Sequence, residues 1–215
     1  MDWLVGAVKS SIGRKSVMAG SGLLLSLFLL SHLAGNATVF LGRTAFDAYA
    51  AHLHALGFLL PVLETGLLAV FIVHVAFGLN LFFENLAARP RRYEVTAGSG
   101  GRTLAARTMP YTGLLVLVFI AHHLARFHFG AGGPASDLVR GNLSRPVTAG
   151  YYLFSLLVLT LHISHGFWSM TQTVGLSHPK YDRLINRLAL FLAVTVGLVF
   201  TLIPILVLLR PGFLS

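Results

Sequence analysis

The run from Leu161 to Lys180, LHISHGFWSMTQTVGLSHPK, sets His162 and His165 inside an apolar stretch, with Gly166 beside them. A neutral imidazole in hydrocarbon is costly unless something binds its nitrogen. His32, His74 and the adjacent His122 and His123 sit in apolar runs of their own. One spacing recurs. His-x-x-x-Gly occurs at His74/Gly78 and again at His162/Gly166, with a nearer version at His32 and Gly35. Residues four apart share a helix face, so each glycine leaves flat space one turn from a histidine. Glycine also serves close packing between membrane helices.

Five apolar runs must carry these residues. They cover roughly Ser16 to Leu41, Phe58 to Leu86, Thr108 to Phe129, Val147 to Val174 and Leu184 to Leu209. Each is long enough to span a bilayer. Pro61 falls near the start of its span, where proline is tolerated, and Pro204 is placed to kink the last one. Met1 to Lys15 reads as a short mixed surface segment, and its first part, Met1 to Lys9, lacks a signal-peptide layout and reads as retained. Arg43 to Gly57, with Asp47, His52 and His54, suits a short surface helix. Arg89 to Arg107 and Gly130 to Pro146 read as loops. No long internal repeat is evident beyond the short histidine–glycine echo.

Charge sets the orientation. The N-terminal segment and the loops after the second and fourth spans hold Lys9, Arg14, Lys15, Arg89, Arg91, Arg92, Arg102, Arg107, Lys180, Arg183 and Arg187. The other side holds Arg43, Arg126, Arg140, Arg145 and Arg210. The N-terminus is therefore expected in the cytoplasm. At ~1.5 Å per residue, His32 and His123 lie ~24 and ~22 Å from the cytoplasmic ends of their spans, and His74 and His162 lie ~15 and ~16 Å from theirs. Two histidines at one depth on facing helices can hold one haem iron, and the arrangement occurs twice. His122 and His123 point ~100° apart, so only one of them faces a given haem. His165 shares a face with His162, and spacing alone leaves that choice open too. His52, His54, His128 and His178 sit near interfaces, as solvated or locally bonded side chains.

Composition narrows the chemistry. The 215 residues are 55% hydrophobic and 11% charged, with mean hydropathy +0.77, where a soluble domain is about a quarter charged. A single integral membrane domain over residues 1–215 is expected. The net charge of +9 belongs to the span ends, not to a nucleic-acid-binding stripe. There is no cysteine, which excludes disulfides, thiolate-held iron–sulfur clusters and covalent c-type haem. Any haem is then b-type.

The segments SIGRKSVMAGSGL at 11–23 and HLAGN at 32–36 resemble the first span of the di-haem cytochrome b558 anchors of succinate dehydrogenases and fumarate reductases. LPVLE at 60–64 with HVAFGL at 74–79 resembles their second span, and HISHGFWSMTQTVG at 162–175 their fourth. FIAHHL at 119–124 resembles the third less specifically. The likeness runs from about Ser11 to Leu209. It implies an all-α bundle of five transmembrane helices in a bacterial inner membrane, holding two b haems. It implies His32 with His123 on the outer iron and His74 with His162 on the inner iron, leaving His165 at the haem edge. It implies a flavoprotein and an iron–sulfur subunit docked on the cytoplasmic side, and exchange of electrons with a quinone, commonly menaquinone. Some relatives carry a glutamate two residues before the fourth-span ligand, linked to proton transfer; Thr160 stands there in this chain.

Glu64 is the one carboxylate clearly inside a span, a candidate for proton exchange with quinone or for a structural hydrogen bond. Asp47 is the next acid. Arg14, Lys15 and Arg187 suit inner propionates, a docked subunit or headgroups. Trp168 and Gln172 suit the inner haem edge, and Arg126 with His128 the outer propionates. The function expected is electron transfer between the iron–sulfur subunit and quinone, with the dicarboxylate site on another subunit. The alternatives are a b-haem anchor of another respiratory dehydrogenase, a proton-coupled transporter without haem, and a purely structural anchor.

Overall fold

A computed structural model describes residues 6, 10–88, 104–130, 132–176, 178–210 and 212–214, with side chains omitted at 104–107. The part of the expected surface segment before Ser10 (Gly6 apart) and the polar loop with Arg89, Arg91, Arg92 and Arg102 lie outside the described residues, as do the side chains of Lys9 and Arg107; residues 11–15 of that segment are the first turn of the first long helix instead. The described chain is helical throughout: α1 Ser11–Ala37, α2 Arg43–His54, α3 Leu59–Ala87, α4 Leu104–His123, α5 Ala135–Leu143, α6 Pro146–Thr173 and α7 Asp182–Leu209. Among the described residues, five helices (α1, α3, α4, α6 and α7) are long and apolar enough to cross a membrane.

Local chemistry fixes the ends. The Ser10 hydroxyl accepts from the Gly13 N–H at 3.0 Å, meeting one of the orphan donors of the first turn of α1. A 3-10 turn, Thr38–Leu41, extends α1 to Gly42, whose φ of 99° is a backbone region glycine enters freely. Pro146 opens α6, where its missing N–H costs nothing. α4 passes into a π-helical turn, Leu124–His128, directly after His123.

The stretch 130–146 is not all loop. α5 occupies its centre, with Ser136, Val139 and Leu143 buried. Its nine residues and its Gly and Pro flanks concealed it in the sequence; a tertiary clamp holds it. The Asp47 carboxylate on α2 accepts from the Ser136 N–H at 2.9 Å and from its hydroxyl at 2.7 Å. Negative charge and an acceptor are thus delivered to a helix N-terminus. Arg43 bridges Asp47 at 3.6 Å and Asp137 at 2.9 Å.

Packing is uneven. α6 packs most extensively against α7 and α4, and α1 packs against α3 and α6. α3 has no buried residue and meets α4 only slightly. The apolar core gathers at the end where α2 and α5 lie, around Phe46, Phe119, Val139, Tyr152, Leu156, Ile203 and Val207. A cavity bordered by this core extends from there between the long helices.

Candidate functional site

One cavity of about 2380 Å³ runs between α1, α3, α4 and α6, with Phe200, Ile203 and Pro204 of α7 at its wall. Pockets for single small molecules occupy ~300–1,000 Å³, so the space suits two bulky groups. His32, His74, His123 and His162 all line it.

The histidines fall into two pairs. His32 of α1 faces His123 of α4, with ring centroids 6.0 Å apart and ring planes perpendicular. Phe28 stacks on His32 at 5.3 Å, and Phe127 lies 5.1 Å from His123. Nδ1 of His123 and Nε2 of His122 are both buried with no hydrogen-bond partner among the described residues. His122, in contrast, turns away from the cavity toward Tyr151 of α6, 4.8 Å between centroids. The second pair expected from the sequence, His74 of α3 and His162 of α6, lines the same cavity. His165 also lines the cavity, with Trp168 5.6 Å from it. Gln172 lines it too.

Each member of the second pair lies on a glycine that the sequence reading passed over. A Cβ at Gly22 of α1 would come within 3.3 Å of His74 Cε1, and one at Gly113 of α4 within 3.2 Å of His162 Cε1. The neighbouring hydroxyls complete the contact. Ser21 Oγ lies 3.1 Å from His74 Nδ1, and Thr112 Oγ1 lies 3.3 Å from His162 Nδ1. Gly78 and Gly166 line the same cavity. At each, the atom nearest to where a Cβ would stand is a methionine methyl, Met18 Cε at 3.3 Å and Met109 Cε at 3.8 Å. Gly35 makes room for the Tyr49 ring of α2.

These contacts expose a longer internal echo. Met18, Ser21, Gly22 and His32 on α1 recur as Met109, Thr112, Gly113 and His123 on α4, all at one constant offset. The pattern Met-x-x-Ser/Thr-Gly-x₉-His is the signal that could have revealed these residues in the sequence. Its register falls on His123 and not on His122. Each half is a long helix, a short surface helix (α2 or α5) and a second long helix bearing His-x-x-x-Gly.

At the α2/α5 end of the cavity, Glu64 of α3 stands 3.7 Å from His128 Nδ1, both half-exposed. His128 closes the π-helical turn. Asp47 is engaged in the α2–α5 clamp. Arg14 pairs with Glu84, tying α1 to α3, while Lys15 lines the cavity. Arg126 and Arg187 are exposed. Thr160 faces α7, where its side chain fills the space a Cβ would need at Gly197, and its hydroxyl donates to the Leu156 carbonyl at 2.8 Å.

The donor set fits haem. A planar tetrapyrrole supplies four of its metal's ligands, leaving two to the protein, and no group of three or more His, Asp or Glu side chains clusters as a metal site among the described residues. Metal–imidazole bonds run about 2.0–2.1 Å. Two in line, with about an ångström more from each nitrogen to its ring centre, put centroids roughly 6 Å apart, close to the His32–His123 separation.

The chain is 24% identical over 179 residues, 81% of its own length and 86% of the relative's, to the succinate dehydrogenase cytochrome b558 subunit of Bacillus subtilis (strain 168). No protein-family model and no solved structure matches it.

Proposed function

We propose that the chain is the di-haem cytochrome b anchor subunit of a succinate:quinone oxidoreductase, a multi-pass protein of a bacterial inner membrane with its N-terminus in the cytoplasm. The observation that carries this reading is one cavity lined by four histidines from four helices, with His32 facing His123 across it. The similarity to a named cytochrome b558 subunit supports it.

In this reading His74 and His162 hold the inner haem, and His32 and His123 the outer one. When bound, the haems supply reversible one-electron chemistry across the bundle. The chain's own residues do the rest. The histidines present imidazole nitrogens from opposite walls. Phe28, Phe127 and Phe200 around the outer pair exclude water and raise the weight of local charges. Glu64 and His128 form a proton-exchanging pair at the outer end, where a quinone headgroup, menaquinone included, gains or loses protons with its electrons. Lys15 stands at the opposite end, toward the docked iron–sulfur and flavoprotein subunits. The dicarboxylate chemistry belongs to those partners, and direction is set by potentials outside this chain.

A reduced-minus-oxidised spectrum with haem quantitation tests the reading. Two b haems per chain are expected, together with co-purifying flavoprotein and iron–sulfur subunits. A chain purified from its native membrane without haem overturns it. Two haems with a different set of partners would move it to another respiratory dehydrogenase.

A further inference from the structure

Ser21 and Thr112 are two of the few buried polar side chains, 6% and 8% exposed. Each hydroxyl has one hydrogen and two lone pairs. Ser21 donates its hydrogen to the Met18 carbonyl at 3.1 Å, and Thr112 donates its own to the Met109 carbonyl at 3.0 Å. With the hydrogen used, the oxygen facing each imidazole is an acceptor. In that arrangement the proton sits on Nδ1 of His74 and on Nδ1 of His162. A neutral imidazole has only one N–H, so the lone pair falls on Nε2 in both rings. Gly22 and Gly113, the residues next in sequence, let each ring lie close to the neighbouring helix.

We propose that Ser21 and Thr112 are positioning residues for the inner haem: each fixes the tautomer of a ligand from the adjacent helix and strengthens that ligand through its Nδ1–H. The inference rests on the haem reading above and deepens it. Outer-shell hydrogen bonds of this kind raise ligand basicity and tune the metal. The outer pair has no counterpart, because Nδ1 of His123 has no partner and the side chain near the His32 nitrogens is the donor amide of Asn36. Ser21 and Thr112 sit on different helices of the two repeated halves, yet their effects converge on one haem.

The test is a redox titration of the purified complex carrying Ser21→Ala, Thr112→Val or both, with haem quantitation. Losing either acceptor weakens electron donation to the metal and raises the midpoint of one haem. It is the same haem for both variants, further raised in the double variant, with the other haem unmoved. Ser21→Thr and Thr112→Ser keep the hydroxyl and are expected at the wild-type midpoint. Unmoved midpoints, or shifts of different haems by the two variants, overturn the proposal. If Ser21→Ala loses haem outright, Ser21→Thr decides: retention at the wild-type midpoint supports the hydroxyl's role, and loss there too reduces it to packing. A wild-type complex without haem is a separate outcome and removes the parent reading instead.

Discussion

The imidazoles of His32 and His123 stand 6.0 Å apart, centroid to centroid and at right angles, while His122 lies against Tyr151 on the far side of the same helix. Adjacent residues on a helix diverge by ~100°, so only one of the two can reach the cavity. His123→Ala is expected to halve the haem-to-protein ratio, and His122→Ala to leave it unchanged. Pyridine haemochrome quantitation on the purified chain reads both; the opposite pattern would reassign the ligand.

Gly22 and Gly113 carry the second pair in the same sense. A methyl group at either would already press on an imidazole at 3.3 or 3.2 Å, and a larger group would displace the ring. Gly22→Val and Gly113→Val should each lose the haem proposed for His74 and His162 and retain the other. Full haem content in both variants would show that the rings have room to move.

Glu64 and His128 share the outer end of the cavity at 3.7 Å. Positioned acid–base groups contribute about 10²–10⁴-fold. Glu64→Gln should lower quinone turnover by about 10²-fold with both haems retained. Unchanged turnover with both haems present would remove the pair from the quinone site and leave it a link between α3 and α4.

Thr160 occupies the space a Cβ would need at Gly197 in the α6–α7 contact. Overpacking a tight site costs about 1–3 kcal/mol, so Gly197→Leu should lower the melting temperature in detergent, and Thr160→Gly in the same chain should restore part of the loss. An unshifted melting curve for Gly197→Leu would mean that α7 slides to make room.

Asp47 binds the first turn of α5 through two hydrogen bonds. Removing the acceptor of a buried N–H costs about 1–3 kcal/mol. Asp47→Ala should destabilise the α2–α5 end by that amount and leave quinone turnover unaffected at temperatures where the chain stays folded. Loss of turnover in a fully folded variant would make Asp47 part of the quinone chemistry.

Much was legible from the chain alone. The five long helices follow from apolar runs of spanning length. Their observed ends depart from the expected ones by a few residues: α1 begins at Ser11 instead of Ser16, and α4 begins at Leu104 instead of Thr108 and, with its π-helical turn, runs to His128. The grouping of four histidines by depth followed from the fixed rise of a helix, a one-dimensional quantity that composition and spacing carry. Rotation about each helix axis is different. It is set by which faces pack, so the choice between His122 and His123 needed the tertiary structure or the register of the internal echo. The short helix α5 also needed it, because Asp47 on another helix supplies its cap. The glycines against the imidazoles, Gly22 and Gly113, and the hydroxyls on Nδ1, Ser21 and Thr112, lie on neighbouring helices some fifty residues from their histidines. No local rule points across that distance. Sequence determined where along its helix each histidine stands; only the packing of helix on helix decided what each one touches.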